Sequence, residues 1–312
     1  MTEASLAYLS LPVLIGLLLL AVLVASLCLW GGIGVSRRLS THQRFERLTA
    51  HLNLDRLVRS PADWRWILPL AGLLFVSAFV FFAVAEDVLE ADPALVADQV
   101  TYSHLRALRS PLGDQIMVAI TELGDSVVVL GVAASGIGWL LYCRARRTAI
   151  FWLIAIAGGS LINTVIKGAL HRPRPTDLYH AGWDQFSFPS GHSTTNAVLY
   201  GFLLATTLLT LRSRWRLGLI ASLGALITLI AFSRLYLGAH WLSDVVGGLA
   251  FGTLWVCGLS VIYLCRSEPN LRPVGLIIFS LSALLLVGAT NIVFNHARDM
   301  ERYHIRALDD AR

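Results

Sequence analysis

Charge is scarce in this 312-residue chain, and lysine is almost absent. Charged side chains make up 14% of it, where a soluble domain carries about a quarter. Of the 25 lysines and arginines, only Lys167 is a lysine. Cysteine is scarce too: Cys28, Cys143, Cys257 and Cys265 lie in or beside apolar runs, with no CxxC pair among them. That excludes a zinc framework and a disulfide scaffold and leaves the four as packing residues. No internal repeat or low-complexity tract interrupts the chain.

What is there is hydrocarbon. Hydrophobic residues make up 56% of the sequence, the mean hydropathy is +0.66, and charge-free runs reach about 20 residues, enough to span a bilayer. The sequence therefore predicts an all-α, polytopic transmembrane helical bundle. Eight apolar segments stand out, over residues 11–30, 66–85, 127–142, 149–166, 194–211, 217–232, 242–264 and 274–294. The third and sixth are short and are expected to extend into their polar flanks. The first has only Glu3 before it and Arg37 and Arg38 after it, the reverse of a leader peptide, so it is read as a retained helix with its N-terminus outside. The polar stretch 36–63 is an interfacial helix or an ordered loop, and the polar tail 295–312 is expected to lie outside the membrane.

The formal net charge of +5 does not indicate a nucleic-acid partner. Most arginines sit between apolar runs, where they set topology. Arg37, Arg38, Arg44, Arg47, Arg56 and Arg59 lie between the first two helices. Arg144, Arg146 and Arg147 follow the third, Arg212, Arg214 and Arg216 the fifth, Arg266 and Arg272 the seventh. These connections alternate and are all assigned to the cytoplasm. The opposite loops carry Glu86, Asp87, Glu90, Asp92 and Asp98, or one of three polar motifs.

The first motif, KGALHRPRP, runs over 167–175; the second is PSGH over 189–192; the third, SRLYLGAHWLSD, covers 233–244. Lys167 closes the fourth helix, where a cation is favoured by the helix dipole or serves as a snorkelling anchor. Prolines keep Arg172 and Arg174 on extended backbone. In the second motif Ser190 is placed to cap the following helix, Gly191 lets a ligand approach the backbone, and the first amides of that helix form an anion site beside His192. In the third, His240 and Asp244 are four residues apart and share a face if a helix begins near Ala239. Asp244 could then accept from Nδ1–H of His240 and leave Nε2 as a nucleophile, with Arg234 as a phosphate clamp. Each motif alone has a bland reading: an anchor, a cap, an interfacial His–Asp pair. All three emerge on one side of one membrane, and that convergence favours phosphoryl chemistry.

The pattern Lys-x6-Arg-Pro, then Pro-Ser-Gly-His, then Ser-Arg-x5-His-x3-Asp resembles the signature of the type 2 phosphatidic acid phosphatase superfamily, over residues 66–264. The resemblance implies that Lys167, Arg174, Ser190, Gly191 and Arg234 bind the phosphoryl group. It implies that His240 attacks phosphorus to form a phosphohistidine, that Asp244 orients His240, and that His192 protonates the leaving oxygen and then helps activate water. It implies no cofactor, with cations doing the work of a metal ion; no metal ligands are assigned. His171 and Arg172 fall in the spacer and receive no catalytic role. Ser160 and Asn163, on the helical face of Lys167, either steady the lysine or mediate helix contacts. Glu122 and Asp125 are either functional carboxylates or interfacial ones.

The expected division is an N-terminal helix and basic segment (1–65), a six-helix catalytic core within the bundle of about eight (66–265), and a C-terminal helix with a polar tail (266–312). The expected activity is hydrolysis of a lipid phosphate or diphosphate at the periplasmic face of a bacterial inner membrane. Undecaprenyl diphosphate ranks ahead of phosphatidylglycerol phosphate and phosphatidic acid on biological grounds. The expected partners are the lipid substrate and the bilayer. A lipid phosphotransferase and, less favoured, an anion or lipid transporter are the alternatives. The loop 179–188, with Tyr179, Trp183, Phe186 and Phe188, is expected to border a lateral opening for the lipid tail.

Overall fold

The computed structural model describes residues 64–90, 95–175, 185–208, 210–264 and 268–309. These residues are mostly helical and contain no strand. In chain order the helices are α1 (Trp64–Glu90), α2 (Leu95–Ala107), α3 (Pro111–Glu122), α4 (Ser126–Tyr142), α5 (Arg146–Leu170), α6 (Gly191–Thr207), α7 (Ser213–Tyr236), α8 (Leu242–Leu264) and α9 (Pro273–Asp309). Among the described residues six stretches are long and apolar enough to cross a membrane: Pro69–Glu90, Pro111–Tyr142, Arg146–Leu170, Arg214–Tyr236, Leu242–Leu264 and Pro273–Tyr303. The second to eighth expected segments each fall on a helix; the first, at 11–30, lies outside the described residues, as does the basic stretch 36–63.

The apolar residues divide between lipid and core. Phe75, Phe79, Leu130, Leu161, Leu285 and Phe294 point outward and stay exposed, as a bilayer requires. The seventeen-residue α6 is different: it is buried on nearly all sides, through Val198, Leu199, Tyr200, Phe202 and Leu203. A helix apolar all round belongs in the middle of a bundle. Around it pack α5, α7 and α8, and α8 in turn packs against α1. The site-bearing N-terminus of α6 is thereby walled by other helices.

Two segments depart from expectation. The third apolar run does not lengthen into its flanks; a tight turn over Leu123–Asp125 joins α4 to the preceding α3, and together they make one span, Pro111–Tyr142. Nor does the polar tail leave the bundle at residue 295. Helix α9 runs on to Asp309, and Tyr303 is buried against Val118 and Tyr236. The short sixth run does extend as expected, to Ser213–Tyr236.

Residues 176–184, including Tyr179 and Trp183, lie outside the described residues. Phe186 meets the ring of His171 edge-on at 4.5 Å. Phe188 is not interfacial. It is fully buried, stacked on Phe81 with centroids 6.2 Å apart, in a cluster with Phe251.

Candidate active site

Helix α5 ends at Leu170, with Lys167 in its last turn, because His171 takes a left-handed conformation (φ 49°) as C-cap, its N–H bonding to the Lys167 carbonyl. The chain turns there and runs extended through Pro173 and Pro175. Ser187 N–H donates to the Arg172 carbonyl, and Ser190 N–H to the Asp244 carbonyl. The three motifs are thus stitched together by backbone before any side chain is considered.

Ser190 is the N-cap of α6; its hydroxyl accepts from the N–H of Ser193. The first turn of α6 therefore opens at the site with helix-start amides lacking intrahelical acceptors. A Cβ added to Gly191 would meet only Asn163 Oδ1, at 3.9 Å. No neighbouring protein atom demands glycine there, so the open face remains for a ligand approaching the backbone.

Helix α7 ends with Arg234 in its last turn, and Gly238 at φ 68° reverses the chain. The N–H groups of Ala239 and His240 both return to the Arg234 carbonyl, which fixes His240 directly beside Arg234. Helix α8 then starts with Asp244 in its first turn. Its Oδ2 accepts from the N–H of Trp241 at 2.9 Å, the reach-back of a capping box. The same oxygen lies 3.3 Å from Nδ1 of His240.

The tautomer of His240 follows from its other nitrogen. Nη1 of Arg174 lies 2.9 Å from Nε2 of His240 and 2.7 Å from the Ala239 carbonyl. A guanidinium only donates, so Nε2 is the acceptor and the proton sits on Nδ1, facing Asp244. Burial first, then the positive charges of Arg174, Arg234 and Lys167, hold His240 well below the ordinary histidine range. It is neutral at pH 7, with its Nε2 lone pair toward a cation.

The remaining predicted residues converge on the same place. Lys167 is buried, its Nζ donating to the Phe186 carbonyl at 3.3 Å. Arg234 is buried too, with Nη1 2.8 Å from both Thr121 Oγ1 and Tyr303 Oη. His192 sits in the first turn of α6, its Nε2 3.1 Å from Oδ1 of Asp125. Among the described residues no three His, Cys, Asp or Glu side chains are grouped so as to hold a metal ion.

Residues given no catalytic role in the sequence supply the supports. Arg172, left in the spacer without a role, is buried and bridges two carboxylates: Nη1 to Asp244 Oδ1 and Nη2 to Asp98 Oδ2, each at 2.6 Å. Asp98, expected in an acidic outer loop, is buried and also accepts from Ser243. Asn163 donates to Thr194 of α6 at 2.9 Å, a helix-to-helix contact.

The PAP2 superfamily profile matches residues 148–268. Phosphatidylglycerophosphatase B of Bacillus subtilis is 31% identical over 183 residues, which make up 57% of this chain and 89% of that protein. The chain belongs to the PAP2 superfamily. Other relatives include a lipid A 1-phosphatase of Rhizobium johnstonii, 31% identical over 52% of this chain and 68% of that protein. An undecaprenyl-diphosphatase of Sulfolobus acidocaldarius is 29% identical over 47% and 68%. The crystal structure of a transmembrane PAP2-type phosphatidylglycerolphosphate phosphatase from Bacillus subtilis matches with a TM-score of 0.52 and 26% identity, covering 61% of this chain and 93% of that one. The PAP2 profile holds all three motifs; Asp98, Asp125 and the residues of α9 fall outside it.

Proposed function

We propose that the protein removes the terminal phosphate of a membrane lipid phosphate or diphosphate, without a metal ion, through a phosphohistidine on His240. The observation that carries this reading is the bonding of His240: proton on Nδ1 toward Asp244, lone pair on Nε2 toward Arg174. A phosphoryl group arriving at Nε2 would take over the N–H groups of Arg174, with Lys167, Arg234, the Ser190 hydroxyl and the Gly191 amide around it. Nε2 forms a bond to phosphorus, the bond to the leaving oxygen breaks, and His192 gives that oxygen a proton. Water then attacks the phosphohistidine, His192 takes its proton, and inorganic phosphate leaves. The cations neutralise charge as it spreads over the phosphoryl oxygens.

The site faces the periplasm in this reading, because Arg144, Arg146, Arg212, Arg214 and Arg272 sit at the opposite helix ends and cytoplasmic loops are arginine-rich. The membrane is a bacterial inner membrane. Undecaprenyl diphosphate is the first candidate substrate. Phosphatidylglycerol phosphate is the second, favoured by the match over 89% of the Bacillus phosphatase.

The test is phosphate release by the purified full-length protein, in detergent with a chelator, across polyprenyl diphosphate, phosphatidylglycerol phosphate, phosphatidic acid and lipid A. Release from at least one lipid, and its loss in His240→Ala, is expected. Release that requires added magnesium, or none from any lipid, would refute the reading. Labelled water separates hydrolysis from transfer to another hydroxyl.

A further inference from the structure

One carboxylate at the site is placed at the cost of its ordinary role. Asp125 is the N-cap of α4, with extended backbone (φ −64°, ψ 151°), yet its side chain makes no capping hydrogen bond. An N-cap aspartate ordinarily accepts from the first amides of its helix and stabilises it. Here Oδ1 goes to Nε2 of His192 at 3.1 Å, and Oδ2 accepts from Nδ2 of Asn291 at 2.9 Å. Asn291 belongs to α9, and the same amide donates to the Glu122 carbonyl at 3.1 Å.

The turn that carries Asp125 is fitted to α6. Asn196 Nδ2 donates both to the Gly124 carbonyl at 3.2 Å and to the His192 carbonyl at 2.9 Å. A Cβ on Gly124 would fall 2.5 Å from Ile230 Cγ2, 2.9 Å from Asn196 Nδ2 and 3.0 Å from His192 Cδ2. The backbone approaches the histidine ring as closely as glycine allows. Non-helical backbone inside a span survives only where protein covers it, and α6, α7 and α9 cover this turn.

We propose that Asp125, held by Asn291 of α9, is the positioning partner of His192, and that the break between α3 and α4 serves to present it. The carboxylate accepts the Nε2 proton, fixes the ring, and leaves Nδ1 as the nitrogen that exchanges a proton with the leaving oxygen. It also steadies the imidazolium that forms when His192 takes a proton from water. The site then has two His–Asp pairs of different design. Asp244, serving the nucleophile, is held by the guanidinium of Arg172. Asp125, serving the proton carrier, is held by a neutral amide and keeps its charge for the histidine. The C-terminal helix, outside the PAP2 profile, becomes part of the catalytic apparatus.

This inference rests on the reading of His192 as proton donor, and the experiment separates the two. The measurement is kcat/KM of the full-length protein on aryl and alkyl phosphate monoesters of falling leaving-group acidity. A proton donor matters least for good leaving groups. Asp125→Asn is expected to lose on the order of 10²-fold on the poorest leaving group and less than about threefold on p-nitrophenyl phosphate. Asn291→Leu should show the same selectivity, more weakly, and decides the matter if Asp125→Asn does not fold. Adding Asp125→Asn to His192→Ala should cost nothing further. A uniform loss across the series in Asp125→Asn and Asn291→Leu, with His192→Ala still selective, overturns the positioning role alone. A uniform loss in His192→Ala overturns the proton-donor reading and this inference with it.

Discussion

Between Asp98 and Asp244 a single guanidinium, that of Arg172, balances two buried carboxylates. Removing one member of such a network leaves the others charged and unpaired, which costs about 3–5 kcal/mol. Arg172→Met should therefore lower the thermal unfolding temperature in detergent far more than Arg147→Met at the far end of the bundle. Equal shifts would mean the network is structurally idle. The pH profile is a second residue-scale consequence. Because His240 is held well below its ordinary value near ~6.5, it stays unprotonated as pH falls through that value. The acid limb of kcat/KM due to His240 should lie well below pH 6.5, and Arg174→Ala, by removing a cation, should move it upward. A limb at 6.5 that Arg174→Ala leaves unmoved would contradict this electrostatic account. The residues that the motifs name were legible because their types recur at fixed offsets. The roles of Arg172, Asp98 and Asn291 were not, since each is defined by a partner 72 or more residues away, and Asp125, read as either a functional or an interfacial carboxylate, has its partners 67 and 166 residues away. Asp98 looked like an ordinary acidic loop residue, and Asn291 like one polar group in an apolar run.

At the scale of elements, hydropathy located the helices well, because a bilayer demands length and apolarity and little else. It missed what happens inside a span. The run 127–142 read as a short helix wanting extension, whereas the molecule completes the span with α3, across a turn at Leu123–Asp125. Nothing in hydropathy distinguishes a broken span from a short one. Gly124 is the residue that turn depends on. Gly124→Ala is expected to push against Ile230 and His192 and to slow turnover about tenfold or more by displacing Asp125, a cost of the overpacking kind. Full activity and unchanged thermal stability in Gly124→Ala would show that the turn has slack. The tail of α9 was misread for a related reason. The sequence places its polar residues outside the membrane, but His296 and Tyr303 reach buried groups of the bundle, Glu122 and Arg234.

For the whole molecule, the arginine-rich turns at 144–147 and 212–216 lie at the end of the bundle away from the three motifs. That asymmetry predicts the sidedness of the chemistry. On a cysteine-free background, an impermeant thiol reagent added to intact cells should label a cysteine placed at Trp183 and spare one placed at Arg214. The reverse pattern would invert the membrane orientation and remove the argument for a periplasmic substrate. The central claim is narrower than topology: the Nε2 lone pair of His240, freed by Asp244 and backed by cations, becomes covalently bonded to phosphorus. Its most direct test is rapid quenching of the purified protein with a radiolabelled lipid phosphate in excess chelator, followed by peptide mapping of the label. The account predicts an acid-labile, base-stable phosphoryl group on His240 that His240→Ala cannot form. Label that persists in His240→Ala, or that forms only when a divalent metal is restored, would contradict it.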